Sequence, residues 1–184
     1  MTAGPVQATT VSAARGIVRG VMRWTLLPSP VDDLLATSDG EALTGLYFAP
    51  HDRLVARLGL DDSSRDDALA VFGEAARQLG EYFGGERRAF DLPLAPAGST
   101  FQHRVWTALR EIPYGTTWSY GDVCARLGLG PQAARAVGSA NGSNPIPVVV
   151  PCHRVIGSDG SLTGFAGGLA RKRFLLDLEA DLLF

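Results

Sequence analysis

Hydrophobic residues first settle into a pattern at Met22. Three short apolar runs, Met22–Leu27, Leu34–Thr37 and Leu43–Phe48, are separated by Pro28-Ser29-Pro30 and Ser38-Asp39-Gly40. Runs of this length between turn formers predict a small antiparallel meander. From Arg65 to Phe83 the spacing changes. Leu69, Phe72, Ala76, Leu79 and Phe83 recur every three or four positions, while Arg65, Asp66, Glu74 and Arg77 take the other side. That period predicts an amphipathic helix laid across the meander and ended at Gly84-Gly85. Residues 1–20 hold no sustained period and are expected to form a poorly ordered tail. Asp91–Ser99, rich in Pro, Ala and Gly, looks like a connection.

Helical spacing returns after the connection. Thr100 is a candidate N-cap for a helix from about Phe101 to Arg110, with Phe101, Val105, Trp106 and Leu109 on one side, closed by Ile112-Pro113-Tyr114-Gly115. Ser119 is a second candidate cap. It precedes a short helix over Tyr120–Leu127, a turn at Gly128–Gly130 and another short helix from Pro131 to about Asn141. Two short helices about a glycine turn make a helix-turn-helix candidate, a shape that serves structure as well as DNA binding. The second helix is nearly bare: Ala133, Ala134, Ala136, Gly138, Ser139 and Ala140 leave Arg135 as its one long side chain. Such a surface permits close packing against a neighbour, or entry into a narrow DNA groove. A last helix is expected over about Leu169–Leu183.

The fold class read from this pattern is α+β, a small amino-terminal antiparallel sheet with a helix followed by a mainly helical carboxy-terminal part. The expected division is a tail at 1–20, an amino-terminal α/β domain at 21–91, a connecting segment at 92–99 and a second domain at 100–184.

Composition narrows the chemistry. Hydrophobic residues make up 46% of the 184, enough for a packed core, and no stretch has the uninterrupted apolar length of a membrane span. The first twenty residues lack the basic start and apolar centre of a secretory leader, so the expected compartment is cytoplasmic. Cys124 and Cys152 are the only cysteines, which excludes a disulfide scaffold or a four-thiolate zinc site. His51 is the only His or Cys before residue 100, so no metal is expected there. Charge is uneven: residues 1–100 carry 9 Arg against 13 Asp and Glu, whereas residues 101–184 carry 8 Arg and Lys against 6 acids. A polyanion would therefore meet the second half. Lys172, the only lysine, reads as a composition bias.

The candidate chemistry lies late in the chain. After the turn-rich Asn141–Pro147, three β-branched residues, Val148–Val150, predict a buried extended segment. Pro151 then starts a new local conformation at Cys152-His153-Arg154. A cysteine beside an apolar run is often inert core, but an imidazole and a guanidinium next to it are groups that favour the nucleophilic thiolate. Adjacent side chains do not face each other on a strand or a helix, so contact between Cys152 and His153 requires a bridging water or an unusual turn. Glu179 borders the apolar stripe of the last helix, away from Arg171 and Lys172. It is either solvated or, if buried, in need of a partner such as His153.

Three ordered blocks, Ala133-Ala134-Arg135-Ala136-Val137-Gly138, Asn144-Pro145-Ile146-Pro147 and Pro151-Cys152-His153-Arg154-Val155, closely resemble the signature of the O6-alkylguanine-DNA alkyltransferases. The resemblance spans Phe101 to Glu179 and extends more loosely back to Met22. It implies a ribonuclease H-like amino-terminal unit, no cofactor, and single-turnover transfer of an alkyl group, mainly methyl, from O6-alkylguanine in duplex DNA to Cys152. Under the resemblance His153 is the water-mediated base, Glu179 its orienting carboxylate, and Asn144 a brace for the surrounding turns. Tyr120 crowds the target phosphate and protonates the departing purine. Arg135 fills the place of the extruded base while the helix bearing Ala134, Gly138 and Ser139 enters the minor groove. Main-chain groups at Cys152, Val155 and Ala166 read the guanine edge, with Ala166 standing where several relatives carry a polar residue. The implied protein is a monomer, with cooperative binding along DNA left open. Two other functions remain compatible with the residues: a non-enzymatic DNA-binding or lesion-flagging protein, and a Cys-His acyl hydrolase.

Overall fold

The computed structural model describes residues 22–181; the tail expected at 1–20 lies outside them. The meander is present as strands β1 (Arg23–Leu27), β2 (Leu34–Ser38) and β3 (Leu43–Tyr47), paired antiparallel in that order. Leu34, Ala36, Leu43 and Leu46 are fully buried from this sheet. A short helix α1 (Asp52–Leu58) follows, closed by Gly59 in the left-handed conformation at φ 63°. The apolar pattern did not announce α1, because none of its residues is fully buried; Leu54, Val55 and Leu58 only rest on a small satellite cluster of Trp24, Leu35 and Leu60.

Helix α2 spans Ala70–Phe83, not Arg65–Phe83. Its expected first turn is drawn off by the sheet: Arg65 bridges to Trp24 in extended conformation, and the Asp66 amide donates to Trp24 O at 3.0 Å. Tertiary pairing overrides the period there. Val71, Phe72, Ala75, Leu79 and Tyr82 of α2 face inward. The following segment lies along β3, where the Leu43 amide donates to Pro93 O and the Ala95 amide to Leu43 O.

Helix α3 (Thr100–Leu109) is capped by Ser99, not Thr100, through a reciprocal box with Gln102. A two-residue strand β4 (Trp118–Ser119) leads into α4 (Tyr120–Arg126), capped by Ser119 with Asp122. The Gly128 turn, at φ 70°, and a 3-10 turn over Pro131–Ala133 then feed α5 (Ala134–Gly142). Trp106 of α3 donates from Nε1 to Ala140 O at 2.8 Å, pinning α5 in place. Strand β5 (Val155–Ile156) pairs parallel with β4, and α6 covers Leu169–Asp181. One continuous apolar cluster joins Leu34 and Phe72 to Trp106, Val123, Val137 and Leu175.

Candidate active site

Val148–Val150 is not a strand. It is a tight turn in which Val148 sits at φ 72°, a region a β-branched side chain adopts only under strain. Asn144 holds it there. Its Nδ2 donates to Val150 O at 2.8 Å, its Oδ1 accepts from the Ile146 amide at 3.0 Å, and the Val150 amide donates to Ile146 O. The same turn is tied to the sheet by the Leu46 amide, which donates to Pro145 O at 2.8 Å.

The chain leaves this turn through Pro151 into a single 3-10 turn, Cys152–Arg154. Three residues per turn send the three side chains in different directions. Cys152 stays at the edge, 4% exposed, while His153 and Arg154 run inward to Glu179 on α6. Glu179 is 1% exposed, so the solvated alternative is excluded. Its Oε1 accepts from His153 Nε2 at 2.9 Å, Arg154 Nη2 at 2.9 Å and Tyr82 Oη at 2.7 Å; its Oε2 accepts from Arg154 Nε at 2.9 Å and the Gly115 amide at 3.1 Å. Arg154 also donates from Nη1 to Ile112 O.

A carboxylate only accepts, so Nε2 of His153 carries the hydrogen and Nδ1 is left as a bare acceptor. Nδ1 has no hydrogen-bond partner among the described residues. Burial pushes the His153 imidazole down, outweighing the hydrogen bond and charge of Glu179, so the ring is neutral and able to take a proton. Burial pushes Glu179 up, but the hydrogen bonds and charges of His153 and Arg154 outweigh it and hold the carboxyl at about 2. Glu179 therefore orients the ring and cannot take its proton.

Burial pushes the Cys152 thiol up to about 11, against a hydrogen bond from Asn144, the charge of Lys172 and nearby backbone amides. The group is a protonated thiol at neutral pH, so the expectation that Arg154 assists its ionisation is corrected: that guanidinium is spent on Glu179. The cation whose charge acts on Cys152 is Lys172. Sequence reading set it on a face apart from the apolar stripe, yet it is 0% exposed and donates from Nζ to Val155 O at 2.5 Å and Thr163 O at 2.7 Å. Lys172, Leu175 and Glu179, three and then four residues apart, share the inward face of α6. The interval of seven between Lys172 and Glu179 was the available signal. Tyr82 was missed too, since it lies 97 residues from the carboxylate it serves.

Strand β5 brings Val155 beside Trp118, and so places Tyr120 at the start of α4 close to the cysteine turn. The Tyr120 ring covers Gly138 of α5, where a Cβ would lie 3.6 Å from the ring, and its hydroxyl faces Gly164, where one would lie 3.7 Å away. Ala134 and Gly138 are half-buried; Ser139 and Arg135 are exposed, and Arg135 makes no hydrogen bond or ion pair among the described residues. Ala166 is exposed on the loop before α6 and lines, with Asn144, Pro147, Leu46, Tyr47, Phe48 and Leu54, a cavity of about 170 Å³. Phe48 packs on Phe165 at 5.6 Å between ring centres, and Arg171 lies over Phe48 while binding Val31 O and Asp32. These contacts anchor the loop on the sheet. No group of His, Cys, Asp and Glu among the described residues could hold a metal ion, and no described helix is long and apolar enough to cross a membrane.

The chain matches two family models, the ribonuclease-like domain of 6-O-methylguanine DNA methyltransferase over residues 22–96 and the DNA binding domain of the same family over residues 100–181. It is 46% identical over 160 residues to a methylated-DNA–protein-cysteine methyltransferase of Methanosarcina acetivorans, a match covering 87% of this chain and 99% of the relative. Its fold is similar to the crystal structure of Mycobacterium tuberculosis O6-methylguanine methyltransferase, with a TM-score of 0.78, 44% identity and coverage of 87% and 93%. It is also similar to Mycobacterium tuberculosis OGT in complex with DNA, with a TM-score of 0.75, 43% identity and coverage of 88% and 93%.

Proposed function

The chain belongs to the 6-O-methylguanine DNA methyltransferase family, and from that premise we propose how its own residues carry out the transfer. It is a DNA-repair methyltransferase that moves an alkyl group from DNA to a cysteine of its own. The acceptor is Cys152. The observation that carries this assignment is the imidazole of His153, locked by Glu179 with Nε2 protonated and Nδ1 unpartnered, one residue from the thiol.

The substrate is O6-alkylguanine in duplex DNA. A base inside the stack cannot reach a thiol that is 4% exposed, so the lesion rotates out, at a cost lowered by its poor pairing. Helix α5 enters the minor groove along Ala134, Gly138 and Ser139, surfaces that add almost nothing between backbone and DNA. Arg135 occupies the gap left by the base. Main-chain groups at Cys152, Val155 and Ala166 bind the guanine edge, and Tyr120 stands over the target nucleotide.

In the chemical step the Cys152 sulfur forms a bond to the alkyl carbon as the bond from that carbon to O6 breaks. The thiol proton passes through a water to His153 Nδ1, and Tyr120 delivers a proton to the departing guanine. Because the thiol is held neutral until then, proton removal and attack are coupled. The thioether product is not hydrolysed, so each molecule acts once. No cofactor takes part, and the protein acts as a monomer.

Peptide mapping after incubation with a duplex containing one O6-methylguanine tests the assignment. The methyl group is expected on the peptide holding Cys152, and Cys152→Ser is expected to bind the duplex without removing the methyl. Methylation of Cys124 in place of Cys152 would overturn it.

A further inference from the structure

Tyr82 is fully buried on α2, in the half of the chain that the transfer chemistry does not otherwise use, and its hydroxyl is 2.7 Å from Glu179 Oε1. A carboxylate can only accept, so the phenol donates. Burial first, and then the charge of Glu179, push the phenol further above its usual range, which keeps it a donor throughout. Oε1 is also the oxygen that accepts from His153 Nε2. Tyr82, His153 and Arg154 therefore share that one oxygen, and the stronger one bond is, the less charge the oxygen offers the others.

We propose that Tyr82 is a positioning residue of the transfer reaction: by donating to Glu179 Oε1 it fixes that oxygen on the imidazole and limits how strongly the carboxylate stabilises the protonated form of His153. It rests on the assignment of His153 as the base. The ring itself is held independently of the hydroxyl, packed against Phe83, Phe90 and Tyr114 at 5.3, 5.3 and 6.1 Å between centres. The other charged or titratable groups facing this cluster are Arg154, which binds Glu179 from the cysteine turn, Lys172 on α6, which acts on both His153 and Cys152, and Tyr114, whose ring lies beneath Arg154 and Arg88. Arg154 and Lys172 hold His153 toward its neutral form, as Tyr82 does indirectly.

Removing the hydroxyl while keeping the ring, Tyr82→Phe, frees Oε1 to bind the imidazole more strongly. The protonated imidazole becomes easier to form, and the neutral base is lost at a higher pH. The test is the single-turnover rate of methyl transfer from O6-methylguanine duplex to Cys152, measured across pH for the wild-type protein, Y82F and Y114F. The acid limb of Y82F is expected to move upward by about one pH unit, while Y114F, whose hydroxyl has no hydrogen-bond partner among the described residues, leaves it in place. A 3-fluorotyrosine placed at position 82 alone has a more acidic hydroxyl and the same shape, and is expected to move the limb downward. An unmoved limb in Y82F and in the fluorinated protein, or an equal shift in Y114F, would overturn the proposal, even if Y82F were slower at every pH. Absence of transfer by the wild-type protein would instead strike the functional assignment beneath it.

Discussion

Lys172 is the residue whose loss should cost most relative to its legibility. Its ammonium satisfies the carbonyls of Val155 and Thr163, on two segments that follow the cysteine turn, and its charge opposes the rise of the Cys152 thiol. Lys172→Met leaves the buried Val155 carbonyl without this donor, at about 1–3 kcal/mol, and removes that charge. Methyl transfer is expected to slow by at least about tenfold, the equivalent of one pKa unit at the thiol; a variant that folds and reacts at the wild-type rate would show that the ammonium is only structural. Arginine is not a substitute, since a planar fork cannot replace a compact ammonium between two carbonyls. The pH dependence of stability follows from the relay. The folded imidazole of His153 is held below its ordinary value of 6.5, so the unfolded chain binds the proton first and stability falls as pH drops below about 6.5. Glu179, held at about 2 against 4.5, contributes fully above 4.5 and loses its share as pH falls from there toward 2. Urea midpoints at pH 8, 6 and 5 should therefore descend, and His153→Gln should flatten that first descent. An unchanged slope in the variant would assign the effect elsewhere. Cys152 and His153 were legible because their chemistry is written in adjacent letters; Lys172 and Tyr82 were not, because a burial partner fixed by tertiary contact leaves no local mark.

At the scale of elements, periodicity found the three strands and the main helices but could not find turns made by side chains. Val148–Val150 has the composition of a strand, and it is Asn144, bonding across the turn, that bends it. The last helix shows the opposite failure: Leu175 and Glu179 lie inward, where the apolar stripe runs, but Lys172, set apart from that stripe by an apolar-only pattern, lies inward too. Helix α5 was read correctly as nearly bare, and its one exposed long side chain gives a prediction at this scale. Arg135→Ala should slow reaction with methylated duplex by roughly 10-fold or more, a loss of about 1.4 kcal/mol in stabilising the extruded state, while reaction with free O6-methylguanine base is nearly unchanged. Equal losses on the two substrates, measured side by side, would mean that Arg135 does not stand in for the extruded base.

For the molecule as a whole, the two halves seen in the sequence do not have separate cores. Leu34 and Phe72 belong to the same apolar cluster as Trp106 and Leu175, and the Tyr82–Glu179 hydrogen bond and the Leu46–Pro145 backbone bond cross between them. Burial shared in this way predicts one cooperative unfolding transition, with tryptophan fluorescence and far-ultraviolet dichroism coincident in urea; two separated transitions would show that the halves fold independently. The charge division, acidic before residue 100 and basic after it, agrees with DNA meeting the second half while the first half braces the relay from behind. The central claim is that the molecule is its own acceptor, once. The most direct measurement is a titration of O6-methylguanine duplex in large excess over protein, counting methyl groups removed and mapping their destination. The predicted result is a plateau at one methyl per molecule, all of it on Cys152; continued removal beyond one equivalent, or a plateau with Cys152 unmodified, would contradict it.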